Sequence, residues 1–223
     1  MRLAPALIIF DCDGVLIDSE HVASRIIAEE LSAQGWVMSS AESEDLFLGM
    51  SITDMVPMIE AHLGRALPAG WRDMIASRLV TALAHEAVLI PYADDILRAV
   101  TALGIPWRVA SNSSQAEMNA KFSRVGLNAL MAGRTHSGGE VARPKPAPDV
   151  YLAAAAAQGV GASQCLVIED SPLGVRGAVA AGMTCLGFAP HGNTALRALG
   201  AVDVLTDLRD LLPLLIPDER LRA

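Results

Sequence analysis

Acidic and hydroxyl side chains follow three apolar segments of the chain. Residues 7–10 are followed by Asp11 and Asp13, residues 107–110 by Ser111 and Asn112, and residues 165–168 by Glu169 and Asp170. Lys145 lies between two prolines, and it is one of only two lysines among 17 basic residues. Four carboxylates near one another would repel unless a cation joined them. These residue types therefore predict a site that binds a cation together with an anionic group.

The spacing of the first two aspartates favours phosphate chemistry. Asp11 and Asp13 are two residues apart, so on an extended chain their side chains point the same way. Carboxylate oxygens suit Mg²⁺, a hard ion that is shared between a few carboxylates and a phosphate. Lys145 would add a second positive charge. The combination predicts phosphoryl transfer, in which catalysis consists mainly of positioning and charge neutralisation.

Each of these side chains has a predicted role. Asp11 would attack phosphorus and form an aspartyl-phosphate, which divides one difficult step into two easier ones. Asp13 would protonate the leaving oxygen and then accept a proton from the attacking water. Ser111, the backbone amide of Asn112 and Lys145 would hold the phosphate oxygens.

Alternating strands and helices are expected to position these residues. Continuous apolar runs are typical of strands that are buried on both faces of a parallel sheet. After residue 88, helices alternate with strands near residues 107–110, 133–135, 165–168, 184–188 and 202–205, which indicates a doubly wound α/β sheet that also includes residues 7–10. Ligands of such sheets bind beyond the carboxyl ends of the strands. The residues that end the strands are therefore predicted to meet at one edge.

Residues 18–86 differ from the rest, because four helical segments follow one another with no convincing strand between them. This region holds 11 acidic residues, four arginines and no lysine. We predict an α/β catalytic core formed by residues 1–16 and 88–223, into which an all-helical cap of residues 17–87 is inserted.

Composition limits the class of protein and its partners. The 223 residues are 52% apolar, which is enough for a sizeable core without disulfides, and three scattered cysteines suggest reduced thiols. A net charge of −8 argues against binding to nucleic acid or to anionic membranes. No segment approaches the roughly 20 apolar residues that span a bilayer. We expect a cytoplasmic monomer whose partner is a small-molecule phosphate ester.

The motifs resemble those of the haloacid dehalogenase-like hydrolase superfamily. The resemblance is to the branch of β-phosphoglucomutases and sugar-phosphate phosphatases, which has a helical cap between its first two motifs. The matching segments are residues 10–20, 110–112, 145–149 and 168–171, in the expected order. The resemblance implies a Rossmann-like core and a cap that closes over the substrate. It also implies Mg²⁺ held by Asp11, the carbonyl of Asp13 and Asp170, with Glu169 nearby.

Substrate selection is expected to depend on the cap. The residues expected to contribute are Glu20, His21, Gly49, Ser51 and Ile52. A solvent-exposed position is an equal alternative for His21, and Arg143 lies either in solvent or near the phosphate. Met50, Met55 and Met58 are predicted to fill the core.

Three functions are compatible with this sequence. The first is a Mg²⁺-dependent phosphatase that acts on a sugar, polyol or sugar-acid monophosphate. The second is a β-phosphoglucomutase, although those mutases carry a cap arginine and a histidine where this chain has Ile52 and Ala23. The third is a phospho-acceptor domain without enzymatic turnover.

Overall fold

The computed structural model describes residues 3–192 and 194–215, which form a doubly wound α/β sheet with a helical segment after its first strand. In chain order its strands and α-helices are β1 (Leu7–Phe10), β2 (Ile17–Asp18), α1 (Glu20–Gln34), α2 (Ser40–Phe47), α3 (Ile52–Leu63), α4 (Trp71–Glu86), β3 (Val88–Leu89), α5 (Ala93–Ala102), β4 (Trp107–Ser111), α6 (Gln115–Arg124), α7 (Asn128–Met131), β5 (Thr135–Ser137), α8 (Asp149–Gln158), β6 (Cys165–Glu169), α9 (Pro172–Ala180), β7 (Thr184–Phe188), α10 (Ala195–Ala198), β8 (Asp203–Leu205) and α11 (Leu211–Leu215). The predicted fold class is confirmed. Within the described ranges, no helix is long and apolar enough to cross a membrane.

The sheet contains six parallel strands in the order β5-β4-β1-β6-β7-β8. The chain moves from β1 to β4 and β5 on one side, and then returns to the other side of β1 with β6. The order of the strands therefore reverses beside β1. In open α/β sheets this reversal leaves a crevice at the carboxyl ends of the strands, where ligands bind.

Helices cover both faces of the sheet, so the side chains of β1 are buried on each side. Ile8 and Phe10 point towards one apolar cluster, in which the ring of Phe10 meets that of Trp107 edge to face at 6.4 Å. Leu7 and Ile9 alternate with them and belong to a second cluster on the opposite face. The first cluster continues into the buried faces of α1 and α4, so the helical segment packs against the sheet layer.

The two ends of the helical segment lie next to each other, because the short strands that precede and follow its four helices pair. β2 and β3 form a two-stranded antiparallel pair, with Ile17 opposite Leu89 and Asp18 opposite Val88. The four helices between them agree with the predicted helical pattern. The strand pair itself was not predicted, because two residues are too few to show a period of two.

Two expectations from the sequence are wrong in detail. The strand predicted near residues 133–135 begins later, at Thr135, because Gly133 adopts a left-handed turn conformation with φ 70°. Met58 was predicted to fill the core, but this residue is 41% exposed, whereas Met55, three residues earlier in α3, is buried. Helical periodicity predicts a helix that contains both methionines, but it does not determine which face of that helix packs against the rest of the protein.

The chain after β8 also differs from the prediction. A helix was expected from Leu208 onwards, but Leu208–Asp210 forms a single 3₁₀ turn and α11 begins only at Leu211.

Candidate active site

Most of the site residues predicted from the sequence line one cleft at the carboxyl ends of β1, β4 and β6. The cleft has a volume of about 110 Å³. From the sheet side it is lined by Asp11, Asp13, Ser111, Asn112, Lys145 and Asp170. From the helical segment it is lined by Glu20, Gly49, Ser51 and Ile52. Glu169 lies behind the first set and is fully buried.

Two side chains whose position was left open lie outside this cleft. The ring of His21 is exposed, and its Nδ1 lies 3.1 Å from Oδ1 of Asp18. Arg143 is also exposed, and its Nη2 donates to Oδ1 of Asp149 at 3.0 Å. The expectation that His21 faces the substrate is therefore not met by the structure, and Arg143 is a surface residue.

Lys145 connects β1, β4 and β6 through its ammonium group. Its Nζ donates to Oδ1 of Asp11 at 2.7 Å, to Oε1 of Glu169 at 2.5 Å and to the carbonyl oxygen of Ala110 at 2.8 Å. Only 3% of the side chain is exposed. Burial disfavours the charged amine, but the charges of Asp11 and Glu169 outweigh burial and raise the pKa of Lys145. The lysine is therefore a fixed cation at the centre of the cleft.

The negative charges of the carboxylates around Lys145 exceed its single positive charge. Burial, followed by the charge of Glu169, raises the pKa of Asp11 to about 7, even though Lys145 acts in the opposite direction. Burial and the charges of Glu20, Asp11 and Glu169 raise the pKa of Asp170 well above its usual value. This excess of buried negative charge calls for a further cation.

The same carboxylates are close enough to share an ion. Oxygens of Asp11, Glu169 and Asp170 all lie within 4.8 Å of one another. Within the described part of the chain, the carboxylate of Asp170 has no hydrogen-bond donor and no ion-pair partner. Oxygen ligands of this type fit a hard divalent cation such as Mg²⁺.

Two glycines allow the backbone to approach these carboxylates. Gly14 has φ 72°, and a Cβ atom there would overlap the carboxylate of Asp170. Gly174 lies in the first turn of α9, and a Cβ atom there would overlap the carboxylate of Glu169. Any larger residue at either position would displace a carboxylate of the cluster.

A second buried lysine, which was not predicted to belong to the site, contacts Asp13. The Nζ of Lys121 donates to Oδ1 of Asp13 at 2.5 Å and to Oγ of Ser113 at 2.8 Å. The hydroxyls of Ser113 and Ser111 donate to Oδ2 of Asp13 at 2.9 and 3.1 Å, and the hydroxyl of Ser19 donates to Oδ1. Burial opposes ionisation of Asp13, but Lys121 and the hydroxyl donors outweigh it and lower the pKa of Asp13.

Lys121 carried a sequence signal that helical periodicity could have revealed. It lies on α6 on the same buried face as Met118 and Phe122. A lysine within an apolar stripe requires an anionic partner, because a buried charge is otherwise very costly. Together with the scarcity of lysine in this chain, that position marks Lys121 as a residue of the site.

Ser19 has a different role from the helix cap that its position suggests. It occupies the N-cap position of α1, but its side chain makes no capping hydrogen bond. The hydroxyl instead donates to Asp13. The start of the helical segment is thereby joined to the sheet edge.

The side chain of Asn112 also joins the helical segment to the sheet. Its Nδ2 donates to the carbonyl oxygen of Gly49 at 2.8 Å and to that of Lys145 at 3.2 Å. Its Oδ1 accepts a hydrogen bond from the backbone N–H of Lys145 at 2.8 Å. The sequence suggested only a backbone role for Asn112, whereas the structure shows its amide holding two loops together.

Similarity to known proteins agrees with this geometry. Residues 5–182 match the family model of the haloacid dehalogenase-like hydrolases. The chain belongs to this family.

Individual proteins of known sequence or structure are also similar to this chain over most of its length. The chain is 27% identical over 189 residues to 6-phosphogluconate phosphatase of Escherichia coli K12, which covers 83% of this chain and 84% of that protein. It is 29% identical over 208 residues to hexitol phosphatase A of the same organism, with 88% of each covered. A solved haloacid dehalogenase-like protein of unknown function from Agrobacterium tumefaciens matches with a TM-score of 0.77 and 32% identity, over 94% of this chain and 97% of that one.

Membership of the haloacid dehalogenase-like hydrolases confirms two predictions from the sequence. The resemblance to the family is confirmed, and so is the expectation of a phosphoric monoester hydrolase that acts on a small phosphorylated metabolite. A phospho-acceptor domain without turnover does not agree with this family.

Proposed function

We propose that this hydrolase is a Mg²⁺-dependent phosphatase that acts on a sugar, polyol or sugar-acid monophosphate through an aspartyl-phosphate. The observation that carries the proposal is the position of Lys145 between Asp11 and Glu169, beside the carboxylate of Asp170. A phosphate dianion can bind next to an aspartate only if fixed positive charge offsets the repulsion between them. Lys145 supplies such a charge beside Asp11.

In this proposal the ion is held by residues of β1 and β6. Asp11, the backbone carbonyl of Asp13 and Asp170 would be its ligands, with Glu169 nearby. Bound Mg²⁺ supplies charge neutralisation for the phosphate group. The unpartnered carboxylate of Asp170 and the raised pKa of Asp11 support this assignment.

Asp11 would be the nucleophile. Lys145 binds its Oδ1, whereas Oδ2 has no hydrogen-bond donor among the described residues. That oxygen would form a bond to phosphorus while the bond from phosphorus to the ester oxygen breaks. Ser111, the backbone amide of Asn112 and Lys145 would hold the phosphate oxygens during this step.

Asp13 would transfer the protons. In the first step it gives a proton to the ester oxygen, which leaves as an alcohol. In the second step it accepts a proton from water as water attacks phosphorus, and the bond between phosphorus and Asp11 breaks to release inorganic phosphate. Lys121 and the hydroxyls of Ser19, Ser111 and Ser113 fix its carboxylate. They favour the basic form that the second step needs and oppose the protonated form that the first step needs.

The division of the chain follows from these roles. Residues 1–16 and 88–223 would form the core that carries out the chemistry, and residues 17–87 would form the cap that selects the substrate. Glu20, Gly49, Ser51 and Ile52 line the cleft from that cap.

The residues of the cap favour hydrolysis over a mutase reaction. A mutase that returns the phosphoryl group to a sugar must bind a second phosphate. Ala23 and Ile52, the positions at which those mutases have a histidine and an arginine, both line the cleft here. Neither residue can bind a phosphate.

The metal requirement gives the first test of the proposal. Purified protein with Mg²⁺ is expected to release phosphate from p-nitrophenyl phosphate and from a panel of sugar and polyol monophosphates. A chelator should stop the reaction, and added Mg²⁺ should restore it. Excess Ca²⁺ should inhibit, because calcium prefers a looser and higher coordination than Mg²⁺. Full activity in the chelator would show that the metal assignment is wrong, and no hydrolysis of any of these esters with Mg²⁺ would contradict the phosphatase.

Gly14 offers a second test, which has a matched control. In Gly14→Ala the new methyl group would displace the carboxylate of Asp170. We expect a loss of about 10²-fold in kcat/KM, because small misplacements at a reacting centre have effects of that size. Gly64→Ala should keep full activity, since Gly64 has a similar φ of 65° but no atom within 4 Å of the added Cβ. Both variants should lose about 1–2 kcal/mol of stability from the left-handed backbone. Equal activities of the two variants would contradict a role for Asp170.

A further inference from the structure

Among the residues that the structure describes, no cation lines the cap side of the cleft. The four arginines of residues 18–86 all point elsewhere: Arg25 binds Glu86 at 2.8 Å, Arg78 binds Glu30 at 2.9 Å, Arg65 binds the carbonyl oxygen of Gln34 at 2.8 Å, and Arg72 is exposed. None of them is among the residues that line the cleft in the described part of the chain. A negative charge on the alcohol portion of a substrate would therefore have no arginine of the cap to pair with.

Two cations line the cleft within the described ranges, and both are already bound by carboxylates. Lys145 lies between Asp11 and Glu169, and Lys121 is bound to Asp13. Both lie at the sheet edge, where the phosphate group would bind. Neither lysine extends the positive charge of the site towards the cap.

The walls on the cap side are mostly apolar, although the hydroxyls of Ser24, Ser43 and Ser51 also line the cleft from that side. Ile27, Phe47, Met55, Leu79 and Leu83 line the cleft, and each is at most 5% exposed. An ionised group placed among these five side chains would lose its hydration without gaining hydrogen bonds from them, which is energetically unfavourable.

Glu20 is an acidic residue of the cap that lines the cleft. It lies in the first turn of α1 and has no hydrogen bond or ion pair within the described ranges. Burial and the negative charges of Asp13 and Asp11 raise the pKa of Glu20 to about 8. An anionic group on the alcohol portion of a substrate would meet this carboxyl group and no cation from the described residues of the cap.

We propose that the cleft selects phosphate monoesters of uncharged alcohols and rejects those whose alcohol portion carries a carboxylate or a second phosphate. The proposal rests on the phosphatase function proposed above. It narrows the substrate class to sugar and polyol monophosphates and excludes the sugar acids.

A matched pair of substrates isolates the charge. Glucitol 6-phosphate and 6-phosphogluconate have the same six-carbon chain and the same phosphate position, and they differ only at C1, which is an alcohol in one and a carboxylate in the other. We expect kcat/KM to be at least about 100-fold higher for glucitol 6-phosphate, because an unpaired like charge is strongly disfavoured in a closed site. An equal or higher value for 6-phosphogluconate would overturn the proposal.

Substitution of Glu20 tests the source of the selectivity. Glu20→Gln removes the carboxyl group that faces the cleft from the cap, so it should narrow the ratio of the kcat/KM values for the two substrates by about tenfold, mainly through faster turnover of 6-phosphogluconate. Asp45→Asn removes the same group from an exposed position of the cap and should leave the ratio unchanged. If both variants have the same ratio as the unchanged protein, Glu20 is not the source of the selectivity.

Binding measurements separate this proposal from the phosphatase function. The variant Asp11→Asn should bind glucitol 6-phosphate at least about 100-fold more tightly than 6-phosphogluconate in calorimetric titrations. Tighter binding of 6-phosphogluconate would overturn the charge selectivity, whatever the turnover. A protein that hydrolyses no phosphate ester, p-nitrophenyl phosphate included, but keeps the expected order of binding would contradict the phosphatase function alone.

Discussion

Replacing Asp11 by asparagine is expected to reduce turnover by about 10⁴-fold or more, since loss of a nucleophile has effects of this size in enzymes with covalent intermediates. The amide is almost isosteric with the carboxylate, and its oxygen can still accept the hydrogen bond that Lys145 donates to Oδ1 at 2.7 Å. It lacks the anionic oxygen that would form the bond to phosphorus.

The stability of the same variant should not fall. Asp11 lies beside Glu169 and Asp170. Burial, followed by the charge of Glu169, raises the pKa of Asp11 to about 7. Removal of one charge from this cluster relieves repulsion, so the melting temperature of Asp11→Asn in a chelator should equal or exceed that of the unchanged protein.

Phosphate release and thermal unfolding of Asp11→Asn check both expectations. Asp73→Asn, an exposed substitution on α4, serves as the control and should retain full activity. Activity of Asp11→Asn close to that of this control would show that Asp11 is not the nucleophile. A marked loss of stability would show that the repulsion within the cluster is less than its geometry indicates.

Replacing Lys145 by methionine is expected to have the largest effect on stability. The substitution leaves the carboxylates of Asp11 and Glu169 without their cation, and Glu169 is fully buried. Breaking a buried ion pair by removal of one partner costs about 3–5 kcal/mol. Activity should fall by at least about 10³-fold, because the phosphate also loses a fixed positive charge.

Lys121→Met provides the matched comparison, because both lysine side chains are 3% exposed. Its partner Asp13 is 24% exposed and keeps hydroxyl donors from Ser19, Ser111 and Ser113. The loss of stability should therefore be smaller, about 1–3 kcal/mol. Urea unfolding in a chelator, which prevents compensation by metal, measures both values. A larger loss for Lys121→Met than for Lys145→Met would contradict this account of the two ion pairs.

The strands of the parallel sheet could be predicted from the sequence because each is a separate apolar run next to helical segments. Leu7–Phe10 is buried on both faces and reads as a continuous apolar segment. The pairing of β2 with β3 depends instead on two residues on each side, brought together from positions more than 65 residues apart. No local pattern encodes such a contact.

The candidate site also contains residues that the sequence predicts and residues that it does not. Asp11, Ser111 and Asp170 could be placed together because the carboxyl ends of parallel strands share one edge. Lys121 reaches that edge from the middle of a helix, and Ser19 reaches it from a helix start that resembles an ordinary cap. Their contacts depend on how α6 and α1 pack against the sheet, which is a property of tertiary structure and not of spacing along the chain.

The burial of both lysines has a consequence for chemical labelling. The chain has 15 arginines but only Lys121 and Lys145 as sources of a side-chain amine, and each is 3% exposed and hydrogen-bonded to carboxylates. Reagents that acylate amines therefore find no accessible lysine on the folded surface, whereas unfolding exposes both. The rate at which lysine side chains are modified is thus a direct measure of how often the cleft opens to solvent, and immobilisation through lysine would select unfolded molecules.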